Sequence, residues 1–412
     1  MKRFTAVFVF LSLWLCAGGL LGQTPDGYLL VGSTMTYITG YQTPWPDMVV
    51  YRLDAAGNVT WFDHYGGVFP DEGVAAIQTS DGGYALAGSS ASYSYPVLHF
   101  VLFKLDNAGA VQWHRDYGGA MYDACRSLRQ TTDGGYIIGG DTQSFGAIPY
   151  DLNMLIYKLD AAGNKQWRKS FGGLGSEWFS TAIQTTDGGY LLVGDNDTYT
   201  HGNLDFLVYK LDANGNKQWR KNYGGAGNDA TWMGMETPNG SQVVETADGG
   251  YAFCGATNSY TNGFSDFIVY KIDASGAKQW RKQYGGSYSD DALAIDRTAD
   301  GGFVVAGWTS TYTHDMAGMD YDFLVYKIDA AGAKQWRRNF GGEYADIGLS
   351  VQQTADGGYV LAGYSYSYTT PEGDYDPDLL VYRLDAAGNK QWRRNYGGTE
   401  EEWEGRICEV AH

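Results

Sequence analysis

The strongest constraint on this chain is a unit of 52–61 residues that recurs seven times in succession. A turn of the Asp-Gly-Gly type appears with its Asp at Asp26, Asp81, Asp133, Asp187, Asp248, Asp300 and Asp356. A Trp follows in every unit, at Trp61, Trp113, Trp167, Trp219, Trp280, Trp336 and Trp392. Each unit holds four short runs rich in β-branched and aromatic residues, bounded by turn residues and without helical periodicity. They are labelled strands A (as AAIQT), B (GYALAG), C (FLVYKLD) and D (KQWRKNY). The Asp-Gly-Gly turn supplies the positive φ of a tight A–B hairpin, and the Asp-Ala-Ala-Gly-Asn type supplies it between C and D.

Four antiparallel strands at this period are the signature of a propeller blade, so the expected fold is an all-β, seven-bladed β-propeller. The period and strand content exclude leucine-rich and helical repeats. The two ends of the chain suggest how the ring closes. Thr24-Pro25-Asp26-Gly27-Tyr28 is an A–B turn entering a strand B with no strand A before it. Arg406-Ile407-Cys408-Glu409-Val410 is a strand A with nothing behind it. The C-terminal strand is therefore expected to complete the first blade and remove two open sheet edges.

The run KLDAAGNKQWRKNYGG, an acid, then QTTDGGYLLVG resembles the repeat of secreted bacterial and archaeal propeller proteins, mostly of unassigned function. The resemblance covers the chain from about Gln23 to His412 and implies the fold; for activity it implies little. LDAAGNKQW also resembles the tryptophan-docking motif of quinoprotein propellers, but the eight blades and adjacent cysteines of that family are missing here.

Lys2 and Arg3, the apolar run from Phe4 to Leu15 and the small residues Ala17-Gly18-Gly19 have the layout of a secretory signal peptide. The expected organisation is a signal over residues 1–22 and one propeller domain over 23–412, secreted or held at the cell surface or in the periplasm. No transmembrane segment then remains. An uncleaved anchor, or a lipid on Cys16, is the alternative. The chain carries a net charge of −18, near −20 once Lys2 and Arg3 are gone. It has no clustered basic patch, which argues against nucleic acid. Cys125, Cys254 and Cys408 are an odd number in three different repeats, with neither a disulfide framework nor CxxC spacing.

Function should lie where the repeats differ. The A–B and C–D turns are almost invariant and share one face of the ring; the B–C and D–A connections share the other and carry the length variation. Variable loops on a rigid scaffold are the usual carriers of recognition. Five residues after each strand-B Gly stands an aromatic: Tyr37, Tyr93, Phe145, Tyr199, Tyr260, Tyr312 and Tyr368. These either meet a ligand or brace their loops against the next blade. Four residues after each Gly-Gly pair stands an acid at the mouth of the innermost strand: Asp71, Asp123, Glu177, Asp229, Asp290, Asp346 and Glu402. Their expected partners are the strand-C bases Arg52, Lys104, Lys158, Lys210, Lys271, Lys327 and Arg383, or backbone N–H groups. A calcium ion in the channel is the alternative, because hard cations take carboxylate oxygens. The fifth blade adds nine residues after Asp229, including Trp232, Met233 and Met235, in what reads as its D–A connection. Trp178 and the Asp374–Asp378 loop also break the symmetry.

His201 and His314 occupy equivalent loop positions, but no HExxH, GxSxG or phosphate-loop pattern is present. The sequence thus supports a monomeric, non-catalytic binding or adhesion module with no cofactor, recognising a protein or a glycan on the variable face. An enzyme at the channel mouth (hydrolase, lyase or quinoprotein-like oxidoreductase) and a structural subunit of an envelope complex are the alternatives.

Overall fold

A computed structural model describes residues 26–34, 45–94, 96–146, 150–198, 200, 203–231, 242–261, 264–313, 320–369, 377–397 and 402–410. It is an all-β propeller of seven antiparallel sheets. The second blade shows the plan: strand A is Asp71–Gln78, B Tyr84–Ser90, C His99–Leu105 and D Val111–Tyr117, paired in that order.

The strands read differently because their surroundings differ. In this blade strands B and C are buried along almost their whole length, whereas strand D is exposed from Val111 to Asp116 apart from the half-buried Trp113. A strand covered on both faces needs a continuous apolar run, and an outer strand does not. The A strands of successive blades touch one another around the ring, which makes them the innermost layer.

The core lies between blades. Ala85, Phe100 and Leu102 of the second blade pack on Leu128, Ile138 and Leu155 of the third. The same kind of cluster joins the seventh blade to the first, through Leu379 and Val381 against Leu30 and Val49. The ring closes as the termini imply: Glu402–Val410 pairs antiparallel with Gly27–Thr34, with Ile407 opposite Leu30 and Val410 opposite Gly27.

Strand A carries a bulge at a fixed place. The A–B register shifts between Gly73 and Ala75, Cys125 and Ser127, Phe179 and Thr181, Ala292 and Ala294, and Gly348 and Ser350. In the fifth blade, strand A is split into Asp229–Ala230 and Val243–Glu245, both paired with Tyr251–Thr257. The extra residues therefore interrupt the innermost strand at the bulge, and the expectation that they lengthen the D–A connection is corrected. A bulge already leaves one residue unpaired, so it accepts an insertion with little loss of ladder hydrogen bonds. Trp232, Met233 and Met235 lie outside the described residues.

Candidate functional site

The turn face is closed on itself. The Oδ1 of Asp81 accepts from Thr79 at 2.5 Å and from the N–H of Gly83 at 3.1 Å, which locks the A–B hairpin. The strand-C bases end here. Lys104 pairs with Asp81 at 3.0 Å, Lys158 with Asp133 and Lys210 with Asp187 at 2.8 Å each, and Lys327 with Asp300 at 2.9 Å. Lys271 meets Asp248, and Arg383 meets Asp356. This corrects the expected pairing of these bases with the ring of acids. Base and acid occupy opposite ends of seven-residue strands, roughly 20 Å apart at about 3.3 Å per residue.

The acids instead hold the loop face together. Asp123 accepts from the N–H of Gly119 at 2.7 Å, from Ser144 at 2.8 Å, and from Thr142. Asp290 repeats this with Gly286, Thr311 and Thr309. Asp229 does so with Gly225, Thr257 and Ser259. Asp71 accepts from Gly67 and Ser92, Glu177 from Gly173, and Asp346 from Gly342. The side chains of Asp71, Asp123, Glu177, Asp229, Asp290 and Asp346 are fully buried. Glu402 opens the closing strand, and its side chain lies outside what is described.

A second acidic layer escaped the sequence reading, although its signal was the Asp that opens strand C in DFLVYK. Asp47, Asp266 and Asp322 lie beside the strand-A acid of the next blade. Burial, then Asp71, pushes Asp47 up to about 6. Burial, then Asp290, does the same to Asp266. Asp322 rises to about 7 through burial and then the neighbouring carboxylates of Asp320 and Asp346. Only glycine fits between such a pair. A Cβ at Gly341 would collide with Asp322 Oδ1 and come within 3.0 Å of Asp346 Oδ2.

The aromatic ring is tied down. The hydroxyls of Tyr93, Tyr260, Tyr312 and Tyr368 donate to the carbonyls of Gly66, Gly224, Gly285 and Gly341 at 2.6–2.9 Å. Arg168, Arg281, Arg337 and Arg393 lie 3.2–3.5 Å over the rings of Phe145, Tyr260, Tyr312 and Tyr368. Tyr37 and Tyr199 lie outside the described residues, as do His201, His314, Asp374 and Asp376. Trp178 is half-buried in the innermost strand of the fourth blade.

Other apolar side chains are the open ones. Nine exposed large hydrophobic residues stand in B–C or D–A connections: Trp45, Val68, Tyr122, Tyr150, Leu174, Phe264, Tyr288, Tyr344 and Tyr366. Phe264 is 62% and Tyr288 48% exposed, and their rings are stacked 6.3 Å apart across a blade boundary. A cavity of about 360 Å³ opens between the sixth and seventh blades, lined by Asp322, Gly341 and Tyr368 among others. Among the described residues no group of three or more His, Cys, Asp or Glu side chains could together hold a metal ion. No described helix is long and apolar enough to cross a membrane.

No family model matches the chain, and no curated protein matches it. Solved structures do. A Synechocystis apocarotenoid oxygenase variant is similar with a TM-score of 0.53 at 12% identity, over 95% of this chain and 94% of its own. The cobalt-substituted form of that oxygenase gives 0.52 at the same identity and coverage. A protein of unknown function from Bacteroides caccae gives 0.46 at 12% identity, over 77% of this chain and 94% of its own. At such identities the oxygenase likeness is one of fold alone.

Proposed function

We propose that this protein is an exported, non-catalytic binding propeller that recognises a protein or glycan partner through the face carrying its B–C and D–A connections. The observation that carries the reading is the distribution of exposed apolar side chains. The nine connection residues named above crowd one face, while the opposite face consists of near-identical turns whose polar groups are bonded within the turn. Exposed apolar groups cost solubility and gather where a partner covers them. Aromatic rings at such a surface give contact area at little entropic cost. The fold likeness to an oxygenase supplies no residue in support of catalysis.

Export rests on Lys2, Arg3 and the apolar run behind them, and mature protein is expected to begin at or near Gln23. N-terminal sequencing of secreted material checks this; an intact Met1 or a lipidated Cys16 would contradict it. A pull-down and glycan-array screen with the mature chain tests the binding role. Tyr344→Ala and Phe264→Ala should weaken any ligand found, whereas Asn216→Ala and Asn389→Ala on the turn face should not. Equal effects from both faces would overturn the choice of surface.

A further inference from the structure

We propose that the cavity between the sixth and seventh blades is an ammonium pocket that anchors a lysine side chain of a cationic polypeptide; this rests on the loop face being the binding surface. The cavity, of about 360 Å³, is lined by Thr313, Asp322, Asn339, Gly341, Tyr368 and Lys390. Asp322 is only 2% exposed, yet its Oδ1 has no hydrogen-bond partner among the described residues. Asp346 approaches the same point beside Gly341, and Asp320, also buried, bears on both carboxylates. A buried carboxylate oxygen left unsatisfied is costly, and neighbouring acids raise that cost. The site therefore favours whatever brings a positive charge or a hydrogen-bond donor to it, a proton or a bound cation.

The geometry favours an ammonium over a metal. A hard divalent ion takes six to eight oxygen ligands, and no trio of ligating side chains converges among the described residues. An ammonium has three donors. Asp322 can accept one, and the oxygens of Thr313 and Asn339 stand in the same wall. Lys390 is solvent-exposed at the start of an outer strand.

The surface around the cavity points to a cationic chain. Apart from Lys2 and Arg3, every Lys and Arg of the protein lies in a strand, and not one stands in a B–C or D–A connection. Those connections carry acids, such as Asp151, Asp197, Asp320 and Glu343. Tyr344, 44% exposed, follows Glu343 directly, and Tyr366 is open on the next blade. Exposed aromatic faces beside negative charge attract ammonium and guanidinium groups.

Fluorescence anisotropy of the mature chain with labelled nona-lysine, nona-glutamate and a chitosan hexamer tests the proposal, with an unlabelled neutral glucose hexasaccharide followed by calorimetry. Nona-lysine should bind and nona-glutamate should not. Asp322→Asn should weaken nona-lysine at least tenfold, while Asp63→Asn on the outer strand of the first blade should change it less than twofold. Should Asp322→Asn fail to fold by its thermal melt, Thr313→Trp, which fills the cavity, takes its place with the same expected loss. No binding of nona-lysine, or equal losses in the Asp322 and Asp63 variants, overturns the pocket. Tighter Asp322-dependent binding of the chitosan hexamer overturns the polypeptide. If only the neutral hexasaccharide binds and Tyr344→Ala abolishes it, the pocket fails but the loop-face reading stands. If Tyr344→Ala alters no ligand that binds, that reading fails as well.

Discussion

The hydroxyl of Tyr396, at the end of the outer strand of the seventh blade, donates to the carbonyl oxygen of Gly57 in the C–D turn of the first, at 2.8 Å. The ring of Trp392 lies against the same glycine, which sits at φ +80°. The contact recurs around the ring, with Trp61 on Gly109, Trp113 on Gly163, Trp167 on Gly215, Trp219 on Gly276, Trp280 on Gly332 and Trp336 on Gly388. Each blade thus clasps the turn of the next, and the closing interface uses the same clasp as the other six. This gives the repeated Trp and the turn Gly a single shared role in stability.

Gly57→Ala should destabilise the ring by about 2 kcal/mol or more, because the added methyl meets Trp392 at a backbone conformation that L residues rarely adopt. Trp392→Ala should cost about 3 kcal/mol by the cavity it leaves. Urea denaturation of both variants checks the values. Combined, they should cost less than their sum, since they break one contact.

Deleting residues 403–412 strips the partner from Gly27–Thr34 and exposes an unpaired strand edge. The melting temperature of the whole ring should fall and the protein should associate. A truncated protein that melts unchanged and stays monomeric by light scattering would contradict this.

Stability should depend on pH in two opposite limbs. Hydrogen bonds from Lys271 and then Thr246 hold Asp248 down at about 2. Its contribution is present above the unfolded carboxylate range, near 4, and is lost as pH falls towards 2. Asp322, raised to about 7, binds its proton more tightly when folded, so stability falls as pH rises from about 4 through 7. Asp322→Asn should lessen the slope of the second limb, to which Asp47 and Asp266 also contribute, and leave the first; Asp248→Asn should lessen the first, to which Asp300 also contributes, and leave the second. Melts between pH 2 and pH 9 check both signs.

Chelation should change little. The ring acids Asp123, Asp229 and Asp290 each accept from a backbone N–H and two hydroxyls. EDTA is therefore expected to leave the melting temperature nearly unchanged. A large drop reversed by calcium would make this ring a cation site instead.

The blade count, the four strands per blade, the two hairpin turns and the closure were all legible in the sequence. Each is encoded by a short local signal repeated seven times: Asp-Gly-Gly for one turn, Asp followed by a left-handed Gly for the other, and a strand A without its blade at the C-terminus. Local chemistry of this kind needs no knowledge of neighbours. Three matters were decided only by the tertiary structure. The bases of strand C could reach either end of their strand as far as sequence tells, and only the folded register hands Lys104 to Asp81 and leaves Asp71 to Gly67. The fifth-blade insertion follows an acid that elsewhere begins strand A, so whether it lengthens a loop or opens the strand depends on cross-strand pairing. Asp322 and Asp346 belong to different blades, and their meeting beside Gly341 exists only once two blades pack. Periodicity constrains which residues share a strand; which charges share a dielectric is set by long-range packing, and so is the chemistry those charges can do.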